Sequence, residues 1–349
     1  MKIGVITVYN SVNSGSYWQA NALQKFMANR NNEVYFLKRP EKGSSASFCK
    51  KSGRIIKRLV KFQYKEALVF FKTFKEFKKA NKSFKVININ DSIVKELDLI
   101  IIGSDTIWNF DSSYFEKNYE FFFAKHFNDK PIITYAGSVA NTSVDKFLKN
   151  GEIKKLISNW NKISVRDKHS QDVFEKLTDK KIELVCDPTF LIDKIDYEKY
   201  VVKPMDKDYI FLYLFENLSE NQKIQLKDFA KLNNLKIISG TNSCTFCDKT
   251  IINSPYNFLN YMFYADYVIT DTFHGTIFSV NLQKQFAVID RQKIKVNELL
   301  DRLELKDRLI EDKNIKEVLD NELDYSNKSE INKFKTSSRI FLENCLENR

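Results

Sequence analysis

The sequence predicts an α/β protein of two doubly wound domains facing each other across a cleft, with a helix closing the chain. Three observations carry that prediction. Short apolar runs recur, each ended by small or polar residues and followed by helical spacing, as in the strand–loop–helix units of a parallel sheet. Two such series are present, separated by a stretch bracketed by Pro188 and Pro204 in which periodicity lapses. A length of 349 residues with 43% hydrophobic composition is long for one α/β domain and ample for two.

The first series opens with Ile3 to Val8, ended by Asn10-Ser11-Val12-Asn13-Ser14-Gly15, after which Tyr17 to Met27 reads as a helix. Leu99 to Ile102 ends in Gly103-Ser104-Asp105, Pro131 to Tyr135 in Ala136-Gly137-Ser138, and Ile163 to Val165 in Arg166-Asp167. The second series runs Tyr209 to Leu214 (strand), Glu220 to Leu232 (helix), Lys236 to Ser239 (strand) and Tyr256 to Tyr264 (helix). It ends in Tyr267 to Ile289, a strand, loop, helix and strand with Asp271-Thr272-Phe273-His274-Gly275 in the loop. Helices follow, the last near Lys328 to Leu346. The expected division is an N-terminal domain over 1–190 with a basic helical insert at about 50–80, a C-terminal domain over 200–325, and a terminal helix over 326–349. No solenoid repeat or low-complexity tract occurs.

Composition excludes several classes. No segment approaches the roughly 20 apolar residues that span a bilayer, and Met1-Lys2 leads into a strand rather than a signal sequence, so the expected location is the cytoplasm. Five cysteines without a secretion signal argue against a disulfide framework. Cys244-Thr245-Phe246-Cys247 is the only CxxC; it lacks a second pair or a nearby histidine for zinc, and the expectation is a plain loop with incidental thiols and no metal. The net charge of +11 is concentrated: Lys50 to Lys79 holds eleven Lys or Arg against Glu66 and Glu76, a net +9. Ile55, Ile56, Leu59, Val60, Phe62, Leu68, Phe71, Phe74 and Phe77 interleave with these bases, so the stretch reads as amphipathic helix. It is either a solvated face or a peripheral contact with an anionic membrane surface at the inner face of the membrane. No recognised module makes nucleic acid a partner.

In open α/β sheets, ligands bind where strands hand over to helices, which singles out His274 before any family is considered. The other strand ends offer Asn13, Gly15, Ser16, Ser104, Asp105, Ser138 and Arg166 to the same crevice. Asn13 and Gly15 would let backbone approach a ligand, and Ser16 could cap the following helix. Asp105 could accept a sugar hydroxyl, orient a base or act as an N-cap; Trp108 could stack on a sugar or serve as an apolar anchor between domains. His126 and His169 read as surface residues.

Ile3-Gly4-Val5-Ile6-Thr7 with Asn13-Ser14-Gly15-Ser16-Tyr17-Trp18-Gln19-Ala20, then Ile102-Gly103-Ser104-Asp105-Thr106-Ile107-Trp108-Asn109, resemble the polysaccharide pyruvyl transferase family. So do Tyr135-Ala136-Gly137-Ser138, Ile163-Ser164-Val165-Arg166-Asp167, Asp187-Pro188-Thr189 and Asp271-Thr272-Phe273-His274-Gly275, in the family's order over most of the chain. Thr106, Gly137 and Thr272 stand where the family often has glutamine, alanine and serine. The resemblance implies a GT-B-like architecture, no obligatory metal or cofactor, and transfer of a pyruvyl group from phosphoenolpyruvate onto two hydroxyls of a saccharide as a ketal. The acceptor it implies is a lipid-linked or nucleotide-linked intermediate of surface polysaccharide biosynthesis.

That chemistry needs cations for a carboxylate and a phosphate, and a group titrating near neutrality for proton transfer. His274 is the candidate acid or base. Arg166 matches the donor-binding arginine that the resemblance implies, against an ion-pair reading with Asp167 or another carboxylate. Arg291 and Lys293, after the strand that follows the His274 helix, and Gly275 and Thr276 at that helix's amino end, are further donor-phosphate candidates. A nucleotide-sugar glycosyltransferase and a non-catalytic membrane-surface assembly protein are the alternatives.

Overall fold

The computed structural model describes residues 1–39, 64–241, 244–310 and 314–347, with the side chains of 64–67 excepted. The first part of the basic insert, from Lys50 through Gln63, therefore lies outside the described residues. Its remainder is the helix Tyr64–Ala80, which buries Thr73, Phe77 and Ala80 on one face and exposes Leu68, Phe71, Lys72, Lys75, Lys78 and Lys79 on the other.

Strands β1 (Lys2–Ile6), β2 (Glu33–Lys38), β3 (Val86–Asn88), β4 (Leu99–Ile102) and β5 (Ile132–Thr134) form a parallel sheet in the order β3-β2-β1-β4-β5. A parallel pair, β6 (Ile163–Val165) and β7 (Ile182–Leu184), continues it through bridges between Ile133 and Lys162 and between Gly137 and Val165. The second sheet is β8 (Tyr209–Tyr213), β9 (Lys236–Ser239), β10 (Lys249–Thr250), β11 (Tyr267–Thr270), β12 (Gln285–Ile289) and β13 (Leu309–Ile310), all parallel, in the order β10-β9-β8-β11-β12-β13. Counted within each domain, both orders run 3-2-1-4-5-6, with β7 added beyond β6 in the N-terminal domain. The strand cores read as unbroken apolar runs, Ile-Ile-Ile at 100–102 and Tyr-Ile-Phe-Leu-Tyr at 209–213, because helices cover both faces.

The proline-bracketed stretch holds more structure than its lapsed periodicity suggests: a turn of 3₁₀-helix at Pro188–Phe190 and a short helix Lys194–Glu198 entered through a capping box of Asp193 and Asp196. The terminal helix Ser329–Glu347 crosses back to the N-terminal domain. There the Ser338 hydroxyl accepts the N–H of Cys186 at 2.8 Å, Arg339 donates to the Leu191 carbonyl at 3.0 Å, and Arg339 pairs with Asp193 at 2.8 Å.

The largest apolar cluster runs across the domain boundary. It joins Tyr17, Trp18 and Leu23 of helix Ser14–Ala28 to Phe258 and Met262 of helix Pro255–Tyr264 and to Ile277 and Phe278 of helix Phe273–Asn281. Trp18 is wholly buried and its indole N–H donates to the Pro255 carbonyl at 2.8 Å, so it ties the domains through both area and a hydrogen bond. Burial of one such side chain is worth roughly 1.5–3 kcal/mol. Trp108 belongs instead to the N-terminal domain's own core, stacked on Trp160 at 5.6 Å with its N–H on the Phe122 carbonyl; neither a sugar platform nor an inter-domain anchor fits that position.

The expectation of free thiols at the CxxC is corrected. Cys244 and Cys247 are joined as a disulfide, their Cα atoms 5.4 Å apart and within bridging distance. It closes a loop too short to be a framework. Among the described residues no helix is long and apolar enough to cross a membrane, and no cluster of His, Cys, Asp and Glu could hold a metal ion.

Candidate active site

Where the order of a parallel sheet reverses, the loops leaving the first and fourth strands diverge and open a crevice at the strands' carboxyl ends. Both domains place such a crevice toward the other, and the cleft between them has a volume of about 640 Å³. From the N-terminal domain come Asn13 and Ser16 after β1, Asp105 and Thr106 after β4, Asn141 after β5 and Arg166 after β6. From the C-terminal domain come Tyr213 and Phe215 after β8, Thr272, Phe273 and His274 after β11, and Arg291, Lys293 and Lys295 after β12.

Asn13, not Ser16, caps helix Ser14–Ala28, its side chain accepting the N–H of Ser16 at 3.2 Å. The Ser16 hydroxyl is thereby free to donate to Asp105 Oδ2 at 2.6 Å. Asp105 sits in the left-handed region with φ of +74°, a conformation that aspartate tolerates better than most residues. Its Oδ1 accepts the Thr106 N–H at 2.8 Å and lies 3.4 Å from Arg166 Nη2. The other terminal nitrogen, Nη1, donates to Asp187 Oδ2 at 2.8 Å. Asp187 Oδ1 accepts from the Thr189 N–H at 3.1 Å and hydroxyl at 2.8 Å. His274 Nε2 is 3.6 Å from Asp187 Oδ2, an electrostatic contact beyond hydrogen-bond length. A chain of groups, Ser16–Asp105–Arg166–Asp187–His274, thus crosses from one domain to the other.

Arg166 is therefore the ion-paired residue of the two sequence readings, with Asp105 and Asp187 as partners rather than Asp167. Its side chain is 1% exposed, and among the described residues only its Nε–H has no partner. Burial opposes the charges of Asp105, Arg166 and Asp187, and the groups of opposite charge and hydrogen bonds outweigh it. Asp187 is held well below the usual carboxylate range by His274, Arg166 and the Thr189 N–H; Asp105 is lowered by Arg166, His274, Ser16 and the Thr106 N–H. Arg166 is held more firmly protonated by Asp105, Asp187 and Asp167.

His274 lies in the first turn of helix Phe273–Asn281, one residue further into helix than the predicted loop. Its ring rests on Gly15: a Cβ there would stand 2.2 Å from Nδ1, so only glycine lets helix and imidazole approach this closely. Gly275 and Thr276 do not offer the helix amino end to a ligand. The Gly275 N–H is taken by the Thr272 hydroxyl at 2.9 Å, and Thr276 is wholly buried with its hydroxyl on the Thr272 carbonyl at 2.9 Å. Gly275 serves packing, since a Cβ would meet Thr270 Oγ1 at 2.1 Å. Ser104 and Ser138 are also wholly buried and do not line the cleft: Ser104 Oγ donates to the Ala136 carbonyl at 2.9 Å and lies 3.4 Å from Asp187 Oδ2, and Ser138 accepts the Ala140 N–H at 3.1 Å.

Arg291 and Lys293 do line the cleft and are tethered. Arg291 donates to the Asn217 carbonyl at 2.7 Å; Lys293 donates to the Asp271 carbonyl at 3.0 Å and pairs with Glu216 at 3.2 Å. The Asp271 carboxylate accepts the N–H groups of Phe215 and Glu216 at 2.9 and 3.0 Å, pinning the loop after β8 to the loop after β11. His126 is exposed, and His169 is half-buried on the Thr142 carbonyl at 3.1 Å, both outside the cleft.

A family model described as polysaccharide pyruvyl transferase matches residues 13–293, most of the chain. The chain belongs to the polysaccharide pyruvyl transferase family. Solved structures add the fold of this pyruvyl transferase family member. UDP-GlcNAc 2-epimerase from Neisseria meningitidis bound to UDP-GlcNAc aligns over 100% of both chains with 12% identity and a TM-score of 0.55. The corresponding enzyme from Methanocaldococcus jannaschii aligns over 98% of this chain and 99% of its own with 11% identity and a TM-score of 0.50. Identities this low carry the GT-B fold and nothing of the activity. No curated protein matches the sequence.

Asp187 and Lys295 are the cleft groups that sequence reasoning did not assign to the site. Asp187 carried a signal, because Asp187-Pro188-Thr189 was among the motifs of the resemblance. Lys295 carried none, being one of the chain's many lysines, on a polar helix that starts at Ile294.

Proposed function

We propose that this family member transfers a pyruvyl group from phosphoenolpyruvate to a saccharide, closing a ketal across two hydroxyls, in surface polysaccharide assembly. The observation that supports it most is the convergence of His274, Arg291, Lys293 and Arg166 on one cleft with the hydroxyl- and carboxylate-bearing loops of the facing domain. The donor's anionic groups lie against the basic wall. A proton delivered to the donor methylene carbon leaves a cationic carbon that the first acceptor hydroxyl attacks, losing its proton. Phosphate then departs with its bonding pair and the second hydroxyl closes the ring. One hydroxyl proton ends in the new methyl group and the other on phosphate, so the scheme balances without metal or cofactor.

His274 moves the proton. Asp187, kept anionic, faces Nε2, leaving Nδ1 toward the loop of Asn13 and Ser16. Arg166 supplies positive field and its free Nε–H while holding the two carboxylates in register. Asp105 and Ser16 receive the acceptor hydroxyls. Helix Tyr64–Ala80, with Leu68, Val69 and Phe71 exposed beside Lys72 and Lys75, would bring the protein to an anionic membrane carrying a lipid-linked acceptor.

Phosphate release from phosphoenolpyruvate, screened over lipid-linked and nucleotide-linked saccharides, tests the reaction. Labelled phosphoenolpyruvate should pass its carbon to the acceptor; label arriving from a nucleotide sugar instead would establish the glycosyltransferase alternative. Sedimentation with anionic liposomes, lost on replacing Lys72 and Lys75, tests the membrane contact.

A further inference from the structure

Four of the five cations lining the cleft already have oppositely charged neighbours. Arg166 has Asp105 and Asp187, His274 has Asp187, and Arg291 and Lys293 share Glu216 and Asp271. Lys295 differs. Its ammonium lies 5.8 Å from the centroid of the Phe273 ring, whose face also carries the Arg166 guanidinium at 4.7 Å. It makes no ion pair or hydrogen bond to any described residue. Burial and the nearby Arg166 lower its pKa from the ordinary lysine value, with Asp105 and Asp167 opposing. A half-buried ammonium with no ion-pair or hydrogen-bond partner among the described residues is costly unless an anion completes it.

We propose that Lys295 is the phosphate-binding residue of this cleft, completed by the phosphate of the donor and, after transfer, by released inorganic phosphate. The inference rests on the pyruvyl-transfer reading for the donor's identity but not for the anion site. An ammonium is a compact charge suited to a phosphate dianion, whereas a carboxylate is matched better by a planar guanidinium. Arg166, whose guanidinium lies 4.7 Å from the centroid of the same Phe273 ring, supplies such a group. Both cations contact this one ring, which brings them into the same neighbourhood. Lys295 also lies beyond residues 13–293, so the family match itself assigns it nothing.

The test uses inorganic phosphate and pyruvate as separate probes, titrated calorimetrically into the full chain and into Lys295→Met and Lys295→Arg. The methionine variant should bind phosphate about tenfold or more weakly, the size of one charge-assisted contact, and pyruvate nearly as before; arginine should recover most of the phosphate affinity. Its melting temperature should not fall, since an uncompensated charge has been removed, whereas a merely structural lysine would lower it. Equal phosphate affinity in wild type and Lys295→Met, a loss confined to pyruvate, or no phosphate binding by the wild type overturns the assignment. Lys295-dependent phosphate binding without turnover of phosphoenolpyruvate on any acceptor would leave this site standing and remove the reaction. An unchanged KM for phosphoenolpyruvate in Lys295→Met would do the reverse.

Discussion

The two walls of the cleft share one strand order and carry opposite chemistry. On the N-terminal wall every charge is answered within the wall: Arg166 lies between Asp105 and Asp187, both carboxylates are further bonded to hydroxyls and backbone N–H groups, and all three residues are buried. On the C-terminal wall Arg291 and Lys293 are more exposed and tethered to Glu216 and Asp271, while Lys295 has no ion-pair partner among the described residues. A wall that satisfies itself is suited to holding neutral hydroxyls in fixed positions. A wall with surplus positive charge is suited to taking up an anion. Under the proposed reaction, the same scaffold would separate an acceptor side from a donor side by the residues placed on its loops.

If that division holds, replacing a group on the donor side changes chemistry with little effect on folding, and replacing one on the acceptor side does the opposite. The sharpest case is His274→Ala, expected to lower kcat by about 10²–10⁴-fold while the melting temperature stays near that of the wild type, because its Nε2 makes no hydrogen bond. Near-normal product formation would break the assignment of His274 as the proton carrier. Asp187→Asn should show the complementary result. It leaves a buried guanidinium short of one partner, at about 3–5 kcal/mol in the unfolding free energy measured with denaturant. A loss below roughly 1 kcal/mol would mean that the acceptor wall is not held by this pair.

Gly15→Ala probes the seam between the walls. The added methyl would drive the imidazole away from Asp187, and kcat should fall by up to about 10²-fold with a far smaller change in stability. Unaltered kinetics would show that the ring has room to move. The smallest expected effect is a pH dependence. Asp187 and Asp105 have folded pKa values depressed below the ordinary carboxylate value, so their contribution to stability is fully present above about pH 4 and is lost as pH falls further. Melting temperature followed from pH 6 to pH 3 should therefore drop, and drop less in Asp187→Asn; equal slopes would remove these carboxylates as the cause.

The sequence made the strand-end loops legible because parallel strands buried on both faces leave apolar runs that stop abruptly at polar residues. That located Asn13, Asp105, Arg166, His274, Arg291 and Lys293 at the mouth of the cleft. It did not reveal side-chain direction within the loops. Asp105 and Ala136 have φ of +74° and +54°, and such turns break the alternation that would otherwise have shown Ser104 and Ser138 pointing inward. Asp187 looked like the start of a connection because Pro188 follows it, yet the parallel pairing of β6 with β7 brings it beside Arg166. Lys295 was hidden for a different reason: an unpaired charge is defined by what fails to approach it, and spacing along a chain carries no such information.

The apolar bridge around Trp18 has a mechanical consequence. Two-domain enzymes with narrow polar contacts close over their substrates as jaws do, but here the floor of the cleft is continuous hydrophobic core, and the terminal helix returns to brace it. Swinging the jaws apart would expose that core to water. The mouth is therefore set at nearly constant width before any substrate arrives, and small-angle scattering should give the same radius of gyration with and without phosphoenolpyruvate.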